Sequence, residues 1–274
     1  MGFLNNLTPV VKNLLLINLL FFVGQWAFAS GLRIDLNEYL ALHYVTSTHF
    51  GAWQIVSYMF MHGGFSHIFF NMFSLMIFGP LIEQRIGSSK FLMYYIVCGI
   101  GAGLTQIGAY AYEISQYSEA IDKVMNTPTV PAIQEFINTQ GAFSMESGIK
   151  MQAFINTYNE TLTSQGQASA ASIARTFFPE LQQLYIDSHA TVGASGAVFG
   201  LLLAVAMIFP NLPMFLMFVP IPIKAKYFVA IYTVIELVFG VADFSFDNIA
   251  HWAHLGGMLY GLVILLYWRR RGEI

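Results

Sequence analysis

Apolar residues fill positions 10–29, with only Lys12, Asn13, Asn18, Gly24 and Gln25 interrupting them. At about 1.5 Å of rise per residue such a run crosses a hydrocarbon core about 30 Å thick, so it predicts a first membrane-spanning helix. Ala27-Phe28-Ala29 also resembles the small-residue cleavage site of a signal peptide, although the run is long for one and further apolar runs follow. Residues 31–62 break the pattern by setting Arg33, Asp35, Glu38, His43 and His49 among aromatics, and predict a long structured loop. Two more runs, residues 66–82 and 91–112, predict a helical hairpin joined through residues 83–90. A fourth begins near Val192 and stops at Phe209, where Pro210 and Pro213 end the helix. Pro220 and Pro222 keep the next stretch irregular. A fifth run covers residues 227–241 and a sixth residues 248–268, closed by Arg269-Arg270-Arg271.

Between residues 113 and 187 the pattern changes. Acids outnumber bases, Gln, Asn, Ser and Thr are abundant, and no apolar run is long enough to span a bilayer. The segment predicts an extramembrane insertion, helical at residues 132–138 and around residues 149–158. It divides a membrane domain into residues 1–112, holding spans one to three, and residues 188–274, holding spans four to six. The expected fold is all-α, a six-helix membrane bundle with a soluble insertion between helices three and four. There is no internal repeat, and no glycine-rich loop of the kind that holds a nucleotide cofactor.

Composition fixes the class. Of 274 residues, 56% are apolar and 10% charged, against roughly a quarter charged in soluble domains. The chain therefore reads as an integral membrane protein. Its net charge of −3 and the absence of a basic patch argue against a nucleic-acid partner. Cys98 lies in an apolar run, can form no internal disulfide, and reads as a small packing residue. Basic residues set the orientation. With the N-terminus in the cytoplasm, Lys12, Arg85, Lys90, Lys224, Lys226 and Arg269 to Arg271 all face inward. The short outer loops then keep only Arg33, with Lys123, Lys150 and Arg175 in the insertion. The opposite orientation exports the triple arginine, so both termini are expected in the cytoplasm.

That topology brings candidate chemistry together. Gly193-Ala194-Ser195-Gly196 opens the fourth run, and glycine lets backbone approach a reacting carbonyl closely. Ala253-His254-Leu255-Gly256-Gly257 lies in the sixth, where a histidine within a span marks a working site by default. Spans two, four and six all enter from the outer face. Ser195 then lies in the first turn of span four, His254 about 9 Å into span six, and His67 and Asn71 at the start of span two. His67 and Asn71, four residues apart, share a helix face and can donate hydrogen bonds to an oxyanion, with the Ser195 N–H at a helix N-terminus as a third donor. His254 is placed to take the Ser195 proton and return it to a leaving amine. No acid stands near His254 in sequence, and Asp243 and Asp247 are orienting carboxylates only in principle. The expectation is a Ser195–His254 dyad with Phe199, one turn after Ser195, packed on the imidazole.

In this combination the chain resembles the rhomboid family of intramembrane serine proteases, of the bacterial six-helix type. Gly193-Ala194-Ser195-Gly196 is similar to the family's GxSG nucleophile motif, His254 to its catalytic histidine, and His67 with Asn71 to its HxxxN pair. The resemblance implies a serine endopeptidase of the bacterial inner membrane, its site opening to the outer side. It would cut transmembrane or juxtamembrane segments of membrane proteins without a cofactor. Gly257 and Gly261 are expected to seat the sixth helix tightly on the fourth. The chain departs from the family pattern at Gln54, which follows Trp53 where many members carry Trp-Arg, at Phe199 where tyrosine is common, and in the insertion. By topology that insertion lies outside, above Ser195, where it either binds substrate or a partner or is a tolerated loop. The segment from Val241 to Asp247, with Phe244 and Phe246, is expected to form a lid.

Other readings stay open. A catalytically silent relative would bind membrane proteins without cutting them. His251 and His254, spaced i and i+3, could with His67 hold a metal, although there is no HExxH motif and no carboxylate is expected within a span beside them. His251 is otherwise expected to help in polar packing. Glu236 is the one acid inside a predicted span, and a small-transporter reading would rest on it.

Overall fold

The computed structural model describes residues 7–141, 144–216, 219–242 and 249–274. In chain order its main elements are α1 (Pro9–Ala27), α2 (Phe65–Ile86), α3 (Ser88–Asn126), α4 (Val130–Gln140), α5 (Met145–Gln165), α6 (Gln167–Asp187), α7 (Ser195–Ile208), β1 (Pro213–Leu216), β2 (Val219–Lys224), α8 (Ala225–Ala242) and α9 (His251–Arg270). The expected lid falls largely on residues 243–248, outside the described residues, as do Asp243 and Asp247. The chain forms two compact units. The first holds Met1–His43, Phe50–Ile107 and Thr191–Ile274; the second holds Tyr44–His49 and Gly108–Ala190.

The continuous helical segment Pro9–Leu32 and helices α2, α3 and α8 are long and apolar enough to cross a membrane, and all but the latter part of α3 belong to the first unit. Their apolar side chains point outward as well as inward: Leu16, Leu20, Trp26, Val234 and Val238 are all exposed, as a lipid solvent permits. Helix α7 differs. It is apolar on every face and buries residues all round, from Gly196 through Val205, which is the signature of a central helix. With 14 residues it is about 21 Å long.

Small residues let the neighbours close on α7. The backbone at Gly257 of α9 lies directly against the Gly196 carbonyl, so a Cβ there would collide with that oxygen. Gly200 faces Cys98 of α3, and its carbonyl accepts a 2.7 Å hydrogen bond from the Tyr94 hydroxyl. Gly261, expected to pack on the fourth span, lies instead against Tyr94 and Cys98 of α3. One turn separates Gly257 from Gly261, and the third helix occupies that next turn. Cys98 is buried in this packing.

At the other end of the unit, the buried Glu83 carboxylate accepts hydrogen bonds from the N–H groups of Val10 (3.1 Å) and Val11 (3.0 Å) and from the Ser88 hydroxyl (2.6 Å). It therefore caps two otherwise unpaired donors in the first turn of α1 and complements the dipole there. Glu83→Ala is expected to lower stability by about 1–3 kcal/mol, because those donors lose their acceptor in a buried setting. Thermal unfolding of the purified variant in detergent reads this directly, and an unchanged midpoint would contradict it.

Three expectations about local structure are corrected. The hairpin link is a single residue, Gly87 with φ +84°, because α2 runs to Ile86 and α3 starts at Ser88. The third helix does not stop at Tyr112 but continues to Asn126. Ile114, Tyr117, Ile121 and Val124 carry a 3–4-residue apolar spacing through the polar stretch, and neither glycine nor proline interrupts it. The stretch after Phe209, expected to be irregular, is an antiparallel hairpin pairing Pro213 with Lys224, Met214 with Ile223 and Phe215 with Pro222. A two-stranded ribbon has only edge strands, where proline's missing N–H is tolerated.

The second unit is helical almost throughout, with α4, α5, α6 and the latter part of α3 around Tyr117, Ile121, Phe136, Phe154, Tyr158 and Phe178. Helix α6 had no counterpart in the expected pattern. The Asp187 carboxylate at its end accepts hydrogen bonds from the Thr48 N–H and the Ser47 hydroxyl, both 2.8 Å, and so ties residues 44–49 into this unit.

Candidate active site

Ser195 is the first residue of α7, and no side chain among the described residues caps that helix. Its N–H therefore belongs to the unpaired donors of a helix N-terminus. His254 sits in the first turn of α9, which begins at His251. It lies three residues into the helix, about 4.5 Å along its axis, rather than the expected 9 Å. The two meet across 59 residues of sequence: His254 Nε2 lies 2.9 Å from Ser195 Oγ. Phe199 stacks flat on the imidazole, ring centroids 4.0 Å apart and planes 8° apart, one helical turn beyond Ser195.

Gly193 shapes the approach to the serine. Its φ of +127° lies where side-chain-bearing residues are strained, and its N–H donates to the Tyr58 carbonyl at 2.9 Å. A Cβ on Gly193 would stand 2.7 Å from His67 Nε2 and 3.6 Å from Ser195 Oγ, so only glycine leaves the space between these two groups clear. His67 Nδ1 accepts the Gly63 N–H at 3.3 Å. That bond fixes the remaining proton on Nε2, the nitrogen turned toward Gly193. Asn71, one turn further along α2, is buried, and its Nδ2 has no hydrogen-bond partner among the described residues. The structure thus places Ser195, His254, His67 and Gly193 together, with Asn71 on the same face of α2 as His67.

One neighbour is absent from the expected set. Glu236 of α8 is buried, and its Oε2 lies 2.9 Å from His254 Nδ1 and 2.7 Å from His251 Nδ1. This corrects the expectation that no carboxylate stands beside these histidines within a span. The reason is tertiary: α8 packs along α9, with Gly240 over the His251 Cβ, and this brings an acid 18 residues from His254 onto its ring. Its one signal in the sequence is being an acid inside an apolar run. Among the described residues, the atoms close enough to share a metal ion are contributed by Glu236, His251 and His254, without His67.

Residues 49–124 and 147–271 match the family model described as Rhomboid domain. The chain belongs to the rhomboid family. Its relatives include rhomboid protease AarA of Providencia stuartii, 29% identical over 204 residues that cover 71% of each chain. Rhomboid protease GlpG of Klebsiella pneumoniae is 35% identical over 68 residues, a quarter of each chain. RHOMBOID-like protein 5 of Arabidopsis thaliana is 38% identical over 52 residues, 19% of this chain and 17% of the relative. The chain spans less than a third of the length of several of the curated relatives it matches. Family and apolar helices together make this rhomboid an integral membrane protein.

Proposed function

We propose that this rhomboid is an intramembrane serine endopeptidase that cuts transmembrane or juxtamembrane segments of other membrane proteins. The observation that carries the reading is the 2.9 Å approach of His254 Nε2 to Ser195 Oγ from two separate helices. Ser195 Oγ attacks the scissile carbonyl while its proton passes to His254 Nε2. The oxyanion that forms accepts hydrogen bonds from His67 Nε2–H, Asn71 Nδ2–H and the Ser195 N–H. His254 then gives the proton to the departing amine, leaving an acyl-enzyme ester on Ser195. Water, deprotonated by the same imidazole, hydrolyses that ester.

Because a substrate helix has its carbonyls paired, it must unwind locally before attack, and helix-weakening residues near the cut should favour cleavage. The basic residues support a bacterial inner-membrane protein with both termini in the cytoplasm and the site opening to the outer side. The test is fluorophosphonate labelling beside cleavage of a transmembrane reporter in proteoliposomes. Wild type takes the label and cuts; Ser195→Ala does neither. An unlabelled wild type together with a cleaving Ser195→Ala overturns the reading.

A further inference from the structure

Glu236 is an ionisable group in an apolar helix, 5% exposed, a placement that is costly without a partner. Its partners are the Nδ1 atoms of His251 and His254, 2.7 Å and 2.9 Å from the single oxygen Oε2. An ionised carboxylate offers only acceptors, so each contact needs a hydrogen on the histidine Nδ1. A neutral imidazole with its hydrogen on Nδ1 presents a lone pair on Nε2. In His254 that nitrogen is the one 2.9 Å from Ser195 Oγ. The tautomer that lets Glu236 accept is therefore the tautomer in which His254 can receive the serine proton.

We propose that Glu236 is a positioning residue for His254, so that the dyad works with a buried carboxylate behind it. Glu236 fixes the Nδ1–H tautomer, and together with the Phe199 ring it sets the plane of the imidazole. When His254 takes the serine proton, the new positive charge forms beside a negative one in a medium of low dielectric. Glu236 itself gains and loses no proton in this cycle. His251, donating from the first residue of α9 to the same oxygen, holds the carboxylate in register with the helix that carries His254. The inference rests on the protease reading of Ser195 and His254.

The same three groups are close enough to hold a metal ion. The histidine nitrogens, however, stand at direct hydrogen-bonding distance from the oxygen, which is where Nδ1–H donors belong. The two arrangements differ in what a chelator does.

The test uses the full chain in proteoliposomes with a transmembrane reporter. Glu236→Gln preserves shape and removes the charge. It is expected to lower kcat by about 10- to 100-fold, with KM within about twofold of wild type and an unchanged melting midpoint. A merely structural role would instead lower the midpoint and leave the kcat of the folded fraction intact, which overturns the inference. So does a kcat within twofold of wild type. If the variant does not fold, the tautomer is read from nitrogen-15 histidine shifts of the wild-type protein, the His254 signal being assigned by its loss in His254→Ala. Hydrogen on Nδ1 supports the inference, and hydrogen on Nε2 overturns it. Activity lost to a chelator and restored by zinc assigns the three groups to a metal and also overturns it. Ser195→Ala in the same assay separates the two levels. If it still cleaves, the protease reading fails; if it is dead while Glu236→Gln is fully active, only the role of Glu236 fails.

Discussion

Ser195→Ala and His254→Ala are each expected to lower kcat for a transmembrane reporter by about 10⁴- to 10⁶-fold, and the double variant to fall no further. On the proposed reading the two side chains form one functional unit, because Ser195 Oγ passes its proton to the His254 Nε2 held 2.9 Å away. Removing either end empties the same step. On the same reading, what remains comes from the proposed oxyanion donors His67, Asn71 and the Ser195 N–H, which neither substitution removes. Single-turnover cleavage in proteoliposomes, with Ser195→Ala, His254→Ala and the double variant side by side, measures this. Losses that multiply in the double variant would mean that the residues act independently. A His254→Ala enzyme within tenfold of wild type would remove His254 from the role of base.

Gly257→Val is the second large effect, and it acts without touching a reacting group. The position has no room for a side chain, since the first carbon would already overlap the Gly196 carbonyl oxygen. Helix α9 must then move away from α7, and the two side chains of the proposed dyad ride on those helices next to this contact: Ser195 precedes Gly196, and His254 lies three residues before Gly257. A misplacement on the order of 1 Å costs about 10²-fold in rate, and overpacking a close contact destabilises by about 1–3 kcal/mol or more. The variant is expected to lose at least about 10²-fold in kcat/KM and to melt earlier. Wild-type melting and activity together would show that the helices are not held by this contact.

How much of this was legible beforehand differs by the range over which the signal acts. Ser195, His254, His67 and Asn71 sit in short local patterns, and the order of spans was enough to expect them at one level. The stacking of Phe199 on His254 followed from one turn of helix. Glu236 was different, because its meeting with His254 depends on how α8 lies along α9, and nothing within a few residues of either encodes that. The long third helix hid for another reason: a polar composition masked the apolar spacing of Ile114, Tyr117, Ile121 and Val124. In the hairpin Pro213–Leu216 and Val219–Lys224, proline reads as a breaker because its tolerance on an edge strand depends on knowing there is no further neighbour.

Helix α7 has a consequence for how the protein is made. At about 21 Å it is shorter than the hydrocarbon layer of about 30 Å, so lipid alone does not hold it across a bilayer. Its residence depends on α2, α3 and α9 closing around it, through close approaches such as those at Gly196, Gly200 and Gly257. Under the proposed protease reading, Ser195 and His254 come within reach of each other only once α9 has packed on α7, so assembly of the bundle and arming of the proposed dyad coincide.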